Sequence, residues 1–232
     1  MFCVTQDFAE KGRKMRVVFI VYFVVIFGVA TSVFATENVF DHPITEKALP
    51  QGLTELSRKF GEFQSMRSDF VQTKKISVLK FPLITKGGFF YAADYGVSWE
   101  IMTPFEAEIV ITSAGYFERK NGEMLAETPA SAKPQILRYL NTFLLLFSGK
   151  FDELGQFFSL SFLQNGNDWY IGLTPRGELA KVIQNIQLSG SVPARVKKLS
   201  IKEVNGDFTK IKFYDTAYST KSLTESEQKL FQ

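Results

Sequence analysis

Apolar and polar positions alternate along most of this chain. Val97, Trp99 and Ile101 alternate with Ser98 and Glu100, and Phe105, Ala107, Ile109 and Ile111 alternate with Glu106 and Glu108. Phe158, Leu160 and Phe162 alternate with Ser159 and Ser161, and Ile211 and Phe213 with Lys210 and Lys212. A period of two predicts strands with one apolar and one wetter face. Further strands are predicted at Asp69–Thr73, at Phe89–Ala93 opened by Gly87-Gly88, at Trp169–Leu173, around Ile186 and Leu188, and over Val196–Val204 and Phe208–Tyr214. Asn-Gly occurs at 121–122, 165–166 and 205–206, each time between such runs, and this dipeptide favours a tight hairpin turn.

Two stretches break the period. Leu53, Leu56, Phe60, Phe63 and Met66 recur at helical spacing, with Glu55, Arg58, Lys59 and Glu62 on the other side. Ile136, Leu137, Leu140, Phe143, Leu144 and Phe147 form a second helical face between Pro134 and Gly149, thickened by Leu145 and Leu146. That helix is apolar over more than half its circumference and therefore needs cover on more than one side. Phe151–Leu154 adds one short turn. Nine to eleven antiparallel strands in one domain must curl into a barrel or a strongly bent sheet. The fold class is thus mainly β: a curved antiparallel sheet or barrel with a helical lid.

The N-terminus reads differently. Lys11, Arg13, Lys14 and Arg16 precede the uncharged apolar run Val17–Ala30, and Thr31–Ala35 offers a small-residue cleavage site. That order is the pattern of a secretory signal peptide. The run is too short for a spanning helix, which needs roughly 20 residues. Residues 1–35 are therefore expected to be cleaved, whether translation starts at Met1 or Met15. Residues 36–52 are expected to be a flexible leading segment, and 53–232 a single domain. The sole cysteine, Cys3, would leave with the leader, which excludes disulfides, thiol chemistry and an N-terminal lipid anchor in the mature chain. The mature net charge falls to about +1, with signs interspersed, so nucleic-acid binding is not expected.

Candidate chemistry is sparse. His42 is the one histidine and lies in the polar leading segment, which leaves no metal site of nitrogen/sulfur type and no convincing triad. No phosphate loop, dinucleotide fingerprint or G-x-S-x-G occurs. No cofactor is expected, and the chain reads as a non-enzyme. Glu106 and Glu108 read as a solvated strand face. Phenylalanine is conspicuous: 18 of the chain's 24 lie beyond residue 35, about twice the ordinary usage. Such a core is either filled with aromatic rings or lines a space for an apolar ligand.

The order of motifs resembles the LolA family of periplasmic carriers. The resemblance runs through Phe70-Val71-Gln72, Gly88-Phe89-Phe90-Tyr91, Val97-Ser98-Trp99-Glu100, Thr103-Pro104, Ser113-Ala114-Gly115 and Leu173-Thr174-Pro175-Arg176, in order over residues 53–215. It implies an incompletely closed β-barrel covered by two to three α-helices. Its interior would accept the acyl chains of a lipoprotein, taken from an inner-membrane release complex and passed to an outer-membrane receptor. The chain would work as a periplasmic monomer. The ligand-cavity residues expected on this reading are Phe70, Phe89, Tyr91, Val97, Trp99, Ile101, Leu140, Phe143, Leu144 and Phe147. The family usually carries Arg-Pro after the glycine-opened strand, where this chain has Ala93-Asp94; Glu118-Arg119 also departs from the family pattern. These departures imply a divergent branch with another lipid or lipidated product as cargo. A lipid-sensing regulatory domain on the same scaffold, and a carboxylate-dependent hydrolase, are the competing readings.

Overall fold

The computed structural model describes residues 38–45, 48–120, 123–129, 142 and 144–231. Eleven strands form a single antiparallel sheet: β1 (Ser65–Lys75), β2 (Leu83–Ala92), β3 (Gly96–Thr103), β4 (Ala107–Thr112), β5 (Gly115–Lys120), β6 (Glu123–Pro129), β7 (Phe158–Asn165), β8 (Asp168–Pro175), β9 (Ile183–Ser191), β10 (Arg195–Glu203) and β11 (Phe208–Ser219). Their order is β6-β5-β4-β3-β2-β1-β11-β10-β9-β8-β7. Two meanders leave a central β1 in opposite directions, and the last strand lies beside the first. The sheet ends at β6 and β7 and does not close. The chain between these two edges spans residues 130–157, and its described part is helical at 144–148 and at Phe151–Leu154. The chain is thus mainly β, as the period-two runs predict, and its sheet is unclosed, as the family resemblance implies.

Alternation explains which face is inside. Phe70, Phe89, Val97, Ile171, Leu173, Leu188, Leu199 and Ile211 are all buried and belong to one apolar cluster. Their odd–even neighbours Val71, Lys198, Lys210 and Lys212 lie on the other face, by the pleat of a strand. The first helix and the helical parts of the 130–157 connection pack on the inner face. α1 (Gln51–Gly61) buries Leu53, Leu56 and Phe60, and its outer side carries Arg58 between Glu55 and Glu62. A second, smaller cluster lies on the outer face, where Phe90, Ala92 and Val110 are covered by Phe231, Leu223 and Leu230 of the C-terminal segment. Arg67 fastens that segment by pairing with Glu227 at 3.0 Å while its guanidinium stacks 3.9 Å over the Phe90 ring.

Several local expectations shift. The first helix was expected to continue through Phe63 and Met66, but it ends at Gly61. Met66 is already in β1 and packs inward from the sheet instead. Phe105 is no strand residue: Thr103-Pro104 breaks the run, β4 begins at Ala107, and Phe105 is 78% exposed in the turn. Gly87 and Gly88 lie inside β2, which starts at Leu83. Gly87 is required there because a Cβ would stand 1.8 Å from the Glu100 carbonyl oxygen.

The leading segment also differs from the flexible stretch expected over 36–52. In its described part, Val39–Asp41 form a 3-10 turn with Val39 buried. Ile44 N–H donates to Leu160 O at 2.8 Å and Phe162 N–H to His42 O at 3.1 Å. Residues 42–44 thereby satisfy the outer edge of β7, which would otherwise be an unpaired strand edge. α1 starts at Gln51, inside the stretch assigned to this segment. Residues 1–37, with the signal-peptide pattern, lie outside the described residues.

Candidate ligand-binding site

The inner face of β1, β2, β3 and β11 presents a group of aromatic rings. Trp99 lies 4.5 Å from Phe70 and 5.4 Å from Phe89, and Phe213 lies 5.4 Å from Phe89, measured between ring centroids. Into this group Phe147 reaches from the helical connection, 4.7 Å from Phe89, 6.0 Å from Phe213 and 6.2 Å from Tyr91. These are the separations of favourable offset and edge-on ring pairs. A second aromatic contact joins α1 to the rest, with Phe60 edge-on to Phe151 at 5.8 Å and to Trp169 at 5.9 Å. Phe147, from the connection between the two sheet edges, is buried among these rings.

Beside Phe147 a cleft of about 680 Å³ opens between the end of α1, the β2–β3 turn and the helical connection. Phe60, Phe63, Tyr91, Leu144, Leu145 and Phe157 supply its apolar wall. Its volume falls within the roughly 300–1,000 Å³ of small-ligand sites. Asp94 and Gln64 add polar groups, and Lys150 and Glu153 stand on the helical side, 3.6 Å apart. Tyr91 reaches both the aromatic core and the cleft; burial, and secondarily the charge of Asp94, push its phenol up to about 12, so it stays neutral at any physiological pH.

The 144–148 helix of this connection is held at its end by Gly149. This residue has φ +73° and ends the helix, and a Cβ there would meet Phe60 Cβ at 2.5 Å and Ser57 O at 2.8 Å. Ser57 Oγ–H donates to the Gly149 carbonyl. One hydroxyl and one close glycine contact therefore seat this part of the connection on α1.

The sequence-predicted cavity residues divide into groups. Phe70, Phe89, Tyr91, Val97 and Phe147 are buried in the core cluster, and Trp99, Ile101 and Leu144 are partly buried against it. Only Tyr91 and Leu144 of these eight border the cleft. Leu140 and Phe143 lie outside the described residues. Phe213 and Phe60, which the sequence already places on the apolar faces of β11 and α1, and Phe151 add to these aromatic contacts although none is among the expected cavity residues. Ala93 and Asp94, where the resembled family carries Arg-Pro, form the β2–β3 turn on the cleft wall. Asp94 takes φ +65°, and Ala93 N–H donates to Gln64 O at 2.9 Å. The turn is thus tied to the backbone between α1 and β1 and presents a carboxylate to the cleft.

The two glutamates read as a solvated face are not alike. Glu106 precedes β4, while Glu108 accepts from Ser98 Oγ at 2.8 Å and faces Arg119 at 3.8 Å. Among the described residues no group of three or more His, Cys, Asp or Glu side chains is arranged to hold a metal. No helix among them is long and apolar enough to cross a membrane.

Comparison with solved structures finds likenesses at low identity, each with a TM-score under 0.5. The chain is similar to a LolA superfamily protein from Nitrosomonas europaea, at 10% identity and a TM-score of 0.39, over 78% of this chain and 97% of that one. The lipoprotein LppX of Mycobacterium tuberculosis matches at 10% identity and a TM-score of 0.41, over 77% of this chain and 100% of that one. MucB in the Pseudomonas aeruginosa MucA/MucB complex matches at 12% identity and a TM-score of 0.43; this chain spans 59% of that longer one. No family model matches the chain, and no curated protein matches its sequence.

Proposed function

We propose that this protein is a periplasmic carrier that holds the acyl chains of a lipoprotein, or of another lipidated product, inside its curved sheet and passes them toward the outer membrane. The observation that carries this reading is the seat of Phe147. A side chain from the connection between β6 and β7 is seated among the aromatic rings on the inner face of an unclosed sheet, next to an open cleft. Withdrawing that connection would expose a continuous apolar surface, and exposed acyl chains cost roughly 0.8 kcal/mol per CH₂ in water. A container whose plug belongs to the edge-to-edge connection can open without unpairing any strand. The chemistry asked of the chain is binding and release, so it works as a non-enzyme. Cleavage after Ala35 would deliver the domain to the periplasm, and an inner-membrane donor and an outer-membrane acceptor are its expected partners.

The test is direct. Protein purified without detergent should carry lipid visible by native mass spectrometry, or should bind a fluorescent acyl probe once stripped. Absence of both overturns the reading. A lasting complex with a regulatory protein recovered from periplasm would instead favour a lipid-sensing domain on the same scaffold.

A further inference from the structure

The connections at one end of β10, β11, β1, β2 and β3 carry an unusual set of exposed side chains. In the β1–β2 hairpin Val78 is 87% exposed and Phe81 73%, with Leu79, Leu83 and Ile84 also exposed. The hairpin projects because β2 pairs with β3 only from Lys86 onward, while its pairing with β1 runs on to Lys74↔Leu83. Thr103 lies opposite Lys86, which sets exposed Met102 at the end of β3 and Phe105 of the β3–β4 connection beside the hairpin. On its other flank lies the β10–β11 turn, where Ser77 N–H donates to Asp207 Oδ1 at 2.8 Å and Val204 and Phe208 are exposed. Monomeric proteins rarely leave so contiguous an apolar patch in water without a use for it.

The outer face directly behind this rim is basic. The register sets Lys202, Phe208 and Lys75 in one cross-strand row. Lys210, Thr73 and Ile84 stand in the next row, and Lys198, Lys212, Val71 and Lys86 in the one after. Rows on one face repeat every two residues, roughly 6.6 Å, so all six lysines stand within about 13 Å of the first row. No carboxylate interrupts these rows, and the first on this face is Asp69, above the third. Among the described residues Lys198, Lys210 and Lys212 have no ion pair; burial, and then the charges of Lys210 and Lys212, lower the Lys198 pKa. Acids near the rim are partly engaged: Glu203 pairs with Lys74 at 3.2 Å and Asp207 is turned to Ser77, leaving Glu106 beside Phe105.

We propose that this end of the sheet is a membrane-docking surface: the Val78–Ile84 hairpin and Phe105 insert into the interface of a bilayer, and the lysine rows rest on its anionic headgroups. Charge selects the occupant. An apolar tip backed by unpaired lysines matches an anionic bilayer, where apolar burial and headgroup attraction act together. The surface is separate from the Tyr91 cleft and does not depend on cargo binding.

The test is flotation of the purified protein with vesicles of phosphatidylcholine alone or with one quarter phosphatidylglycerol, at low and high salt. The expected result is binding to the anionic vesicles that weakens at high salt. It should fall at least roughly tenfold both in Val78→Ser/Phe81→Ser/Phe105→Ser and in Lys75→Glu/Lys86→Glu/Lys210→Glu. Any share contributed by residues 1–35 is common to all variants. Circular dichroism and acyl-probe binding, unchanged in both variants, separate loss of docking from loss of fold or of cargo binding. Equal flotation of wild type and variants, or no preference for anionic vesicles, overturns the proposal. So does a rim that leaves vesicles alone but is covered in a stable complex with another protein.

Discussion

The hydroxyl of Ser57, on α1, donates a hydrogen bond to the carbonyl of Gly149, 92 residues further along the chain. It ties the first helix to the end of the 144–148 helix, which carries Phe147. A single neutral hydrogen bond contributes about 1 kcal/mol. Ser57→Ala is therefore expected to lower stability by about that amount and to speed the uptake of an acyl probe, measured by stopped-flow fluorescence. Gly149→Ala should cost more, about 2 kcal/mol or above, because its φ of +73° and its contacts with Phe60 and Ser57 both resist a side chain. An unchanged denaturation midpoint for Gly149→Ala would refute that geometry.

Phe147→Ala removes the ring seated among Phe89, Tyr91 and Phe213. Truncation of a buried Phe costs about 3–5 kcal/mol. Chemical denaturation should register that loss. Isothermal titration with an acyl ligand should at the same time show tighter binding, since the ligand no longer competes with the plug. Weaker binding would mean that Phe147 lines the bound state and does not block it.

Trp99 sits against Phe70 and Phe89 in the proposed acyl space, whereas Trp169 packs against Phe60 behind α1. With Trp169→Phe in place, an acyl chain carrying a spin-label quencher should strongly reduce the remaining emission. The reverse variant, Trp99→Phe, should respond much less. Equal quenching of both would place the ligand elsewhere.

Asp207 holds the β1–β2 hairpin through the Ser77 backbone N–H, and that hydrogen bond keeps its carboxyl below the ordinary range. A lowered pKa means that the folded chain binds the proton less readily than the unfolded one. Its stabilisation is complete above the ordinary aspartate range, near 3.9, and is lost as pH falls through the lower folded value. The stability gap between wild type and Asp207→Asn, read from urea midpoints, should accordingly be clear at pH 7 and shrink toward pH 3. A gap that widens in acid would refute the assignment.

Much of this architecture was legible because a half-buried strand writes its two faces as alternating residues. The Phe158–Phe162 and Lys210–Phe213 runs are strands, and Asn165-Gly166 and Asn205-Gly206 do turn between them. Where the reading slipped, a local signal was ambiguous. Phe63 and Met66 continue the helical spacing of α1, but the helix ends at Gly61 and Met66 is taken over by β1 through its pairing with β11, which spacing cannot register. Residues 38–44 look like a linker in composition, yet they are captured by the edge of β7. The aromatic interior could be anticipated from phenylalanine usage. That a ring from the connection would occupy it could not, because the connection's position depends on which strands stand at the sheet's two edges.

The pairing of β1 with β11 also has a consequence in time. The central strand of the sheet is among the first parts of the domain to be synthesised, and one of its two neighbours is the last strand to appear. Until residues near 208–219 emerge, one half of the sheet has no way to join the other. Contacts spanning so much of the chain are slow to form. The two meanders therefore become one sheet only once the last strand of the chain has arrived.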